Sequence, residues 1–534
     1  MKRMRWIALL LAVVLLFTGC SKWDWNELLG EIGAQTVTPF SEMKYTRPDM
    51  DKMEQALQTC CENSKTETDA QVLVNQALEF YRLYNSFYTN YNLASIYYFR
   101  DMTDSQWEAE YSFCMENTSV AEAGLEELFS TLADCPLKEE MEKTEAFGPD
   151  FFDAYEGEVL WDETFTSLMN REAELKEQYY ELCTQAQEEV YYSDAYFSTY
   201  GQQMAQVYVD LIALRQEVAQ YLGYEDYPTF AYDYYHYRDY TPSQAQAYLT
   251  EIGRELAPLY RQVENQTLEG ENQLCSQNDT FSYVEKASKK MGGAVQQAFI
   301  LLRQAGLYDI TYSDRKYDGS FEIYLTDYAA PFVFVNPSGT QYDKLTFAHE
   351  FGHFCQDYAT GGNISGIDVA EVFSQGMEYL SLSYGGASPA LQQLKMRDCL
   401  RIYIEQAAYA LFEQQVYQLN EEELTVENVQ ALYEQIGRSF GFDSWDWDSR
   451  DFVLIGHFFT DPMYIVSYVV SNDAAFQLYQ MEQAQAGSGL ALLERELTTE
   501  KQYFLEFVQE AGLQSPFLPG RMASVRQTLE GILK

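Results

Sequence analysis

The helical pattern of this sequence is interrupted once, between about residues 308 and 336. In that stretch Phe321, Ile323 and Leu325 alternate with less apolar neighbours, and the run FVFV follows directly after Pro331. Alternation with a period of two is typical of a strand. The sequence therefore predicts a mainly α-helical protein with one small sheet, and the FVFV strand is a candidate for accepting a peptide backbone as an added strand.

The helices have recognisable starts, of which TPSQ is the clearest. Thr241 can cap a helix, Pro242 suits its first position, and Gln244 completes a capping box. An apolar stripe follows at intervals of four, four and three residues, formed by Tyr248, Ile252, Leu256 and Leu259. No repeat of 20 to 50 residues is present, which argues against a solenoid.

The first 20 residues, MKRMRWIALLLAVVLLFTGC, have a basic start and an apolar run that is too short to span a bilayer comfortably. They predict an export signal over residues 1–19. The ending LFTGC resembles the lipobox of bacterial lipoproteins, which predicts lipidation of Cys20 and a tether over residues 20–45. The expected location is the outer face of a bacterial cell membrane, and plain secretion is the alternative.

The chain is strongly acidic, with 82 acidic and 35 basic residues in 534 and a net charge of −47. Removal of residues 1–19, which hold three basic and no acidic residues, would change this charge to −50. Such a field repels phosphates and anionic lipid, so we expect no nucleic-acid partner and membrane contact through the lipid anchor only. Eight cysteines remain besides Cys20, and most are expected to be buried thiols.

The segment TFAHEFGHFC, residues 346–355, contains the spacing HExxH. On a helix, His349 and His353 lie one turn apart on the same face, where both ring nitrogens can bind one metal ion. Glu350 is displaced by one residue and can take a proton from water beside that ion. We expect this helix to begin with Thr340 as its cap and to stop by Gly361.

A zinc site needs a third protein ligand, and the segment GIDVAEVFSQGMEYL, residues 366–380, contains candidates. Asp368, Glu371, Gln375 and Glu378 share one helical face. A capping box formed by Asp368 and Glu371 would explain two of them. A ligand role for Glu371, with Asp368 beside a ligand histidine, explains more of the pattern.

HEFGH followed by this segment resembles the thimet oligopeptidase and oligoendopeptidase F family of zinc metallopeptidases. The resemblance implies that Glu371 is the third ligand of one Zn²⁺. It extends over nearly the whole mature chain through YTRPD at 45–49, LRQEVAQYLGY at 214–224, DGSF at 318–321 and EAGLQSPF at 510–517.

The family also carries a histidine followed by tyrosines, which GHFFTDPMYIVSY supplies here as His457, Tyr464 and Tyr468. The resemblance implies that these side chains stabilise the oxyanion formed when water attacks a peptide carbonyl. The alternative is an aromatic core stripe, because the two tyrosines are also four residues apart. His236 fits no motif and is expected to be an ordinary packed or surface histidine.

The resemblance implies a zincin-type, neurolysin-like fold of two lobes around a deep channel, with an N-terminal lobe over 46–300 and a catalytic lobe over 301–534. The expected activity is zinc-dependent hydrolysis of internal bonds in short peptides. A membrane-tethered peptide-binding lipoprotein and a peptidase that trims dipeptides from C-termini are the alternatives. Cleavage specificity and oligomeric state are not predicted.

Overall fold

The computed structural model describes residues 37–155, 162–186, 193–264, 266, 273–362, 365–442, 447–499 and 501–534. The predicted signal peptide and Cys20 lie outside these residues, as does most of the predicted tether. Across the described chain, no helix combines the length and apolar character needed to cross a membrane. The eight cysteines after Cys20 are all described and all carry free thiols, six of them buried.

Helices make up most of the structure, which confirms the predicted mainly α-helical fold. The helices before the sheet are α1 (Met50–Asn63), α2 (Ala70–Arg100), α3 (Ser105–Glu116), α4 (Thr118–Ala133), α5 (Lys138–Met141), α6 (Glu163–Ala186), α7 (Asp194–Tyr196), α8 (Gln202–Tyr221), α9 (Tyr227–Tyr234), α10 (Pro242–Val263), α11 (Gln277–Met291) and α12 (Gly293–Ala305).

A sheet of three strands follows, formed by β1 (Tyr308–Asp309), β2 (Ser320–Leu325) and β3 (Ala330–Val335). The helices after it are α13 (Asp343–Thr360), α14 (Ile367–Tyr384), α15 (Pro389–Arg401), α16 (Ala407–Val416), α17 (Val426–Phe440), α18 (Gly456–Thr460), α19 (Val466–Ala484), α20 (Ser488–Glu496), α21 (Phe504–Ala511) and α22 (Arg521–Leu533).

The start of α10 follows the predicted capping chemistry. Thr241 accepts a hydrogen bond from the backbone N–H of Gln244, the Gln244 side chain bonds back to Thr241, and Pro242 is the first helical residue. The predicted stripe, Tyr248, Ile252, Leu256 and Leu259, is buried. Local capping and periodicity were therefore sufficient to predict this helix.

The sheet has the order β1-β3-β2, in which β1 runs parallel to β3 and β2 runs antiparallel to it, with Phe321 opposite Phe334. The prediction that FVFV accepts an added strand is wrong. β3, which contains that run, is the central strand, and every one of its residues is buried. An added strand needs the exposed hydrogen-bonding groups of an edge, and β2 is an edge strand.

Helix α13 packs against the sheet and against α11 and α12, where the Phe351 and Phe299 rings are 5.4 Å apart. It ends as predicted at Gly361, which adopts φ 73°. The predicted cap at Thr340 is wrong, because the residue before the first turn is Tyr342 and it makes no side-chain capping bond. Asp343 instead accepts hydrogen bonds from the backbone N–H groups of Ser338 and Gly339, which fixes the loop that enters the helix.

Two compact units make up the chain. Unit 1 contains the described residues of Met1–Thr166, Leu274–Ser365 and Leu497–Glu500. Unit 2 contains those of Ser167–Gln273, Gly366–Glu496 and Lys501–Lys534. Each unit combines distant segments of the sequence, whereas the predicted lobes were continuous. The continuous prediction missed this because residues 274–365 pack with the N-terminal helices, so they belong to unit 1 although they come late in the chain.

Each unit has its own core. In unit 1, buried apolar and aromatic side chains of α1, α2 and α4 form one cluster that includes Leu73, Phe80 and Leu128. In unit 2, α14 lies along α19. Gly376 permits this close approach, because a Cβ at that position would be 2.9 Å from Leu478 Cδ1.

Candidate active site

The two histidines of HEFGH lie on one face of α13 in unit 1. Their ring centroids are 5.1 Å apart and both side chains are half-buried. The spacing of four residues on a continuous helix produces this arrangement. Both rings are therefore placed so that each can offer one nitrogen to a common ion.

Glu350, on the same helix, is buried, and its carboxylate Oε1 accepts a hydrogen bond of 2.6 Å from Ser320 Oγ. Strand β2 supplies Ser320, so the sheet fixes the orientation of this carboxylate. Sequence reasoning gave Ser320 no role. The signal was present, because Ser320 belongs to the DGSF segment that carries the family resemblance.

A pair of carboxyl groups, Glu322 and Asp357, lies near Glu350 in the same unit. Glu322 is two residues after Ser320 on β2, and Asp357 is seven residues after Glu350 on α13. Burial raises the pKa of both groups, and for Glu322 the negative charges of Asp357 and Glu350 raise its pKa further. The pair can therefore keep a proton bound close to Glu350, the predicted general base.

Asp368 is buried at the start of α14 in unit 2, where three side chains donate to its carboxylate. Arg238 Nε is 3.2 Å from Oδ2, Tyr240 Oη is 2.6 Å from Oδ2, and Ser467 Oγ donates to Oδ1. The capping-box alternative for Asp368 and Glu371 is wrong, because Gly366 precedes the helix and no side chain caps it. The role of Asp368 beside a ligand histidine stays a prediction.

Glu371 is 1% exposed and accepts a 2.6 Å hydrogen bond on Oε1 from Tyr464 Oη. Ser374 Oγ donates to the other carboxylate oxygen over 2.9 Å. Burial, strengthened by the negative charge of Glu371, holds the pKa of Tyr464 well above its usual value. The phenol therefore stays protonated and donates to the carboxylate.

The remaining polar residues on this face of α14 also have partners within unit 2. Gln375 Nε2 donates to Ser471 Oγ over 2.9 Å, and Lys395 Nζ donates to Glu378 Oε2 over 2.7 Å. All four side chains of the predicted polar face are buried. The face is polar because it meets hydrogen-bonding partners, not solvent.

His457, Tyr464 and Tyr468 come together in unit 2. The His457 ring centroid is 5.3 Å from that of Tyr464, and His457 Nε2 is 3.3 Å from Tyr468 Oη, with the donor set by the histidine tautomer. Because a phenol has one proton, Tyr464 cannot donate to Glu371 and to another acceptor at once. Its predicted oxyanion role would require its hydroxyl to turn away from Glu371.

His236 is half-buried and lies beside these residues. Its Nε2 is 2.9 Å from the carbonyl oxygen of Pro462, and its ring lies 6.4 Å from that of Tyr464. Burial, together with the positive charge of Arg238, lowers the pKa of His236 to about 3. Sequence reasoning missed this placement, because no local motif links residue 236 to residue 462.

The N-terminal region of the chain is similar to a known protein family. Residues 40–161 match the family model described as Peptidase M3 N-terminal domain. The matched region includes α1 to α5, which form most of the N-terminal helical part of unit 1. Among curated proteins, no match was found.

Solved structures match over almost the full length. An X-ray structure of a protein named as an oligoendopeptidase F gives a TM-score of 0.78 at 21% identity, covering 93% of this chain and 98% of that one. PZ peptidase A with an inhibitor gives 0.78 at 20% identity, covering 92% and 99%. A protein from Bacillus anthracis str. Ames, also named as an oligoendopeptidase F, gives 0.76 at 18% identity, covering 93% and 98%.

These matches agree with the resemblance found in the sequence, since the family model covers the N-terminal region and the solved structures share the fold. The motif HEFGH lies outside the matched N-terminal region, so the fold comparison covers it instead. Residues 40–161 match the peptidase M3 N-terminal domain, and the chain has the fold of structures named as oligoendopeptidase F, in agreement with the predicted resemblance.

Proposed function

We propose that this protein is a zinc-dependent endopeptidase that hydrolyses internal bonds of short, unstructured peptides. The observation that carries the proposal is the arrangement on α13, where two histidines share one helical face and a buried glutamate lies between them in sequence. The peptidase M3 N-terminal domain and the fold of structures named as oligoendopeptidase F and PZ peptidase A support it.

The proposed zinc ligands are His349, His353 and Glu371, each of which offers one ligand atom. Two imidazole nitrogens and one carboxylate oxygen fit a catalytic zinc site, which takes three protein ligands and keeps one position open. When bound there, zinc would supply Lewis-acid polarisation of the peptide carbonyl. Tyr464 and Ser374 would orient the Glu371 carboxylate through their hydrogen bonds.

Proton transfer is assigned to Glu350. Ser320 orients the carboxylate through its hydrogen bond to Oε1, and this carboxylate would take the proton of the attacking water and pass it to the leaving amine. His457 and Tyr468 are the proposed donors to the developing oxyanion, and Tyr464 joins them when its hydroxyl turns away from Glu371. The substrate backbone is proposed to lie along β2, because β2 is an edge strand.

The proposal is tested by analysing the products of one unstructured peptide by mass spectrometry, with and without a chelator. Internal cuts that the chelator abolishes are expected. Removal of C-terminal dipeptides would favour the trimming alternative. Binding of the peptide without any cut would favour a peptide-binding lipoprotein.

Two substitutions separate the proposed base from the proposed ligand. Glu350→Gln preserves shape but cannot accept the proton, so we expect kcat to fall about 10²- to 10⁴-fold while zinc content, measured by elemental analysis, is retained. Glu371→Ala is expected to lose zinc. Glu122→Gln is the matched control, because Glu122 is also a buried glutamate of unit 1. Turnover by Glu350→Gln near the parent rate would show that the proposed base is wrong.

We also propose that the mature protein is anchored by acyl chains on Cys20 at the outer face of a bacterial cell membrane. The support is the lipobox-like ending LFTGC. Cys20→Ser is expected to release the protein or leave an uncleaved precursor, which fractionation and intact-mass measurement would detect. Parent protein that appears free in the medium after cleavage at another position would contradict the anchor.

A further inference from the structure

Polar side chains of unit 2 that the proposed mechanism does not use form hydrogen bonds to the segment 456–464, which carries His457 and Tyr464. Three elements supply them: α8, the chain just after α9, and α16. Each bonds to a main-chain atom of the segment. The segment consists of the five-residue helix α18 and the turn after it, so its own hydrogen bonds do not fix it as those of a long helix would.

Arg215 of α8 is fully buried and bonds to the segment with both terminal nitrogens. Nη1 donates to the carbonyl oxygen of Phe458 over 2.8 Å, and Nη2 donates to that of Phe459 over 2.5 Å. Its Nε donates to the buried Glu172 at 3.0 Å, which balances the charge. Arg215 belongs to LRQEVAQYLGY, a segment of the family resemblance to which the sequence gave no role.

Glu413 of α16 holds the turn before Tyr464. Its Oε1 accepts a 2.7 Å hydrogen bond from the backbone N–H of Met463, whose φ is 64°. A non-glycine residue in this left-handed region is sterically strained, which costs conformational free energy. A hydrogen bond to the strained residue offsets this cost and favours the observed turn.

His236 holds the residue before the strained turn. Its lowered pKa keeps the ring neutral at pH 7, so the contact with Pro462 is a hydrogen bond from Nε2–H to the carbonyl oxygen. Arg215, Glu413 and His236 thus bond to four main-chain atoms between residues 458 and 463. The residues that carry these atoms, Phe458, Phe459, Pro462 and Met463, lie between His457 and Tyr464, which are two of the three proposed donors.

We infer that Glu413 is a positioning residue of the proposed peptidase, acting with Arg215 and His236 to fix the turn that aims His457 and Tyr464. This inference rests on the proposed function. Transition-state donors need placement within about 0.5 Å, and a misplacement of about 1 Å can cost about a hundredfold in rate. A network bonded to the main chain supplies that placement without touching substrate.

Two substitutions of Glu413 test the inference. Glu413→Gln keeps a carbonyl oxygen that can accept from Met463, whereas Glu413→Leu has similar volume and no acceptor. Burial raises the pKa of Glu413 to about 8, so at pH 7 the leucine variant loses a hydrogen bond more than a charge. Hydrogen exchange of the peptide 456–468 is measured by mass spectrometry, together with kcat and KM.

We expect Glu413→Leu to speed exchange in 456–468 and to lower kcat about tenfold to a hundredfold, with KM changed less than about twofold. Glu413→Gln should stay near the parent in both measurements. Glu122→Leu is the matched control, because Glu122 is an equally buried glutamate in unit 1, and it should not change exchange in this peptide. His236→Phe, which keeps an aromatic ring but removes the donor to Pro462, should speed exchange in the same peptide to a smaller extent.

Unchanged exchange in both Glu413→Leu and His236→Phe would overturn the inference, as would equal effects of Gln and Leu at residue 413. Faster exchange with parent-like kcat would overturn the link to catalysis. If the parent cuts no peptide, the proposed function fails, and the exchange data still decide whether Glu413 holds the segment.

Discussion

Glu122 in unit 1 and Asp368 in unit 2 are both almost completely buried carboxyl groups, 1% and 3% exposed, yet they have different partners. Glu122 accepts hydrogen bonds from Tyr84, at 2.8 Å, and from Tyr88, and its Oε2 has no hydrogen-bond partner among the described residues. Asp368 accepts hydrogen bonds from a tyrosine and a serine, Tyr240 and Ser467, and in addition from the guanidinium of Arg238.

The difference shows two ways in which a carboxyl group is kept in the protein interior. Without a cation, burial raises the pKa of Glu122 to about 8, so the group is held mainly as a neutral acid at pH 7. Glu413 of unit 2 is likewise a buried acid whose pKa burial raises to about 8, whereas at Asp368 in the same unit opposite charge allows a carboxylate to be buried. The same solution recurs there at Glu172 with Arg215, Glu378 with Lys395 and Asp473 with Arg521. Two of these ion pairs, Asp368 with Arg238 and Glu378 with Lys395, involve residues of the helix that carries Glu371.

The largest expected effect comes from removing the guanidinium of Arg238, the cation that pairs with Asp368. Arg238→Met leaves Asp368 buried without its ion-pair partner, which typically costs about 3 to 5 kcal/mol of unfolding free energy. Denaturant unfolding measures this loss. The double variant Arg238→Met, Asp368→Asn should recover part of it.

Arg254→Met is the control, because the Arg254 side chain is 68% exposed and should change stability by less than about 0.5 kcal/mol. If Arg238→Met lowers the unfolding free energy no more than Arg254→Met does, the distinction between Glu122 and Asp368 is wrong.

The second effect concerns pH and Glu122. Its folded-state pKa of about 8 lies above the unfolded value, so the stability it contributes is present in acid and is lost as pH rises from about 4.5 to 8. Glu122→Gln removes this dependence. At pH 9 we expect the variant to be more stable than the parent by about 2 to 4 kcal/mol, with a much smaller difference at pH 5.

Thermal unfolding across pH 5 to 9 measures that difference. The same series on Asp368→Asn should show no such gain at alkaline pH, because the amide leaves Arg238 buried without its anion. Parallel Tm curves for Glu122→Gln and the parent would mean that Glu122 is ionised in the fold.

The smallest effect distinguishes the tyrosines. Tyr240→Phe removes a hydrogen bond to a carboxylate and should cost about 1.5 to 3 kcal/mol, whereas Tyr84→Phe removes one to a mainly neutral acid at pH 6 and should cost about 0.5 to 1.5 kcal/mol. Denaturant unfolding of both variants at pH 6 gives the ranking. Equal losses would show that the two carboxyl groups share the same charge state.

Features that depend on neighbours within one helical turn were determined by the sequence. The capping box of Thr241 and Gln244, the end of α13 at Gly361 and the shared face of His349 and His353 are of this kind. Backbone geometry alone fixes such relations, because residues three or four apart always meet on a helix. The family resemblance extended these local predictions to the mainly helical fold of the whole chain.

Only the tertiary structure decided which distant residues meet. Ser320 bonds to Glu350 across 30 residues, Arg238 to Asp368 across 130 and Glu413 to Met463 across 50. The tertiary structure also places FVFV in the central strand of the sheet. It pairs Asp368 with Arg238, whereas the sequence allowed a capping role for Asp368. Such pairings follow from how helices and strands pack, and packing depends on the shape and charge of whole faces, which no local pattern contains.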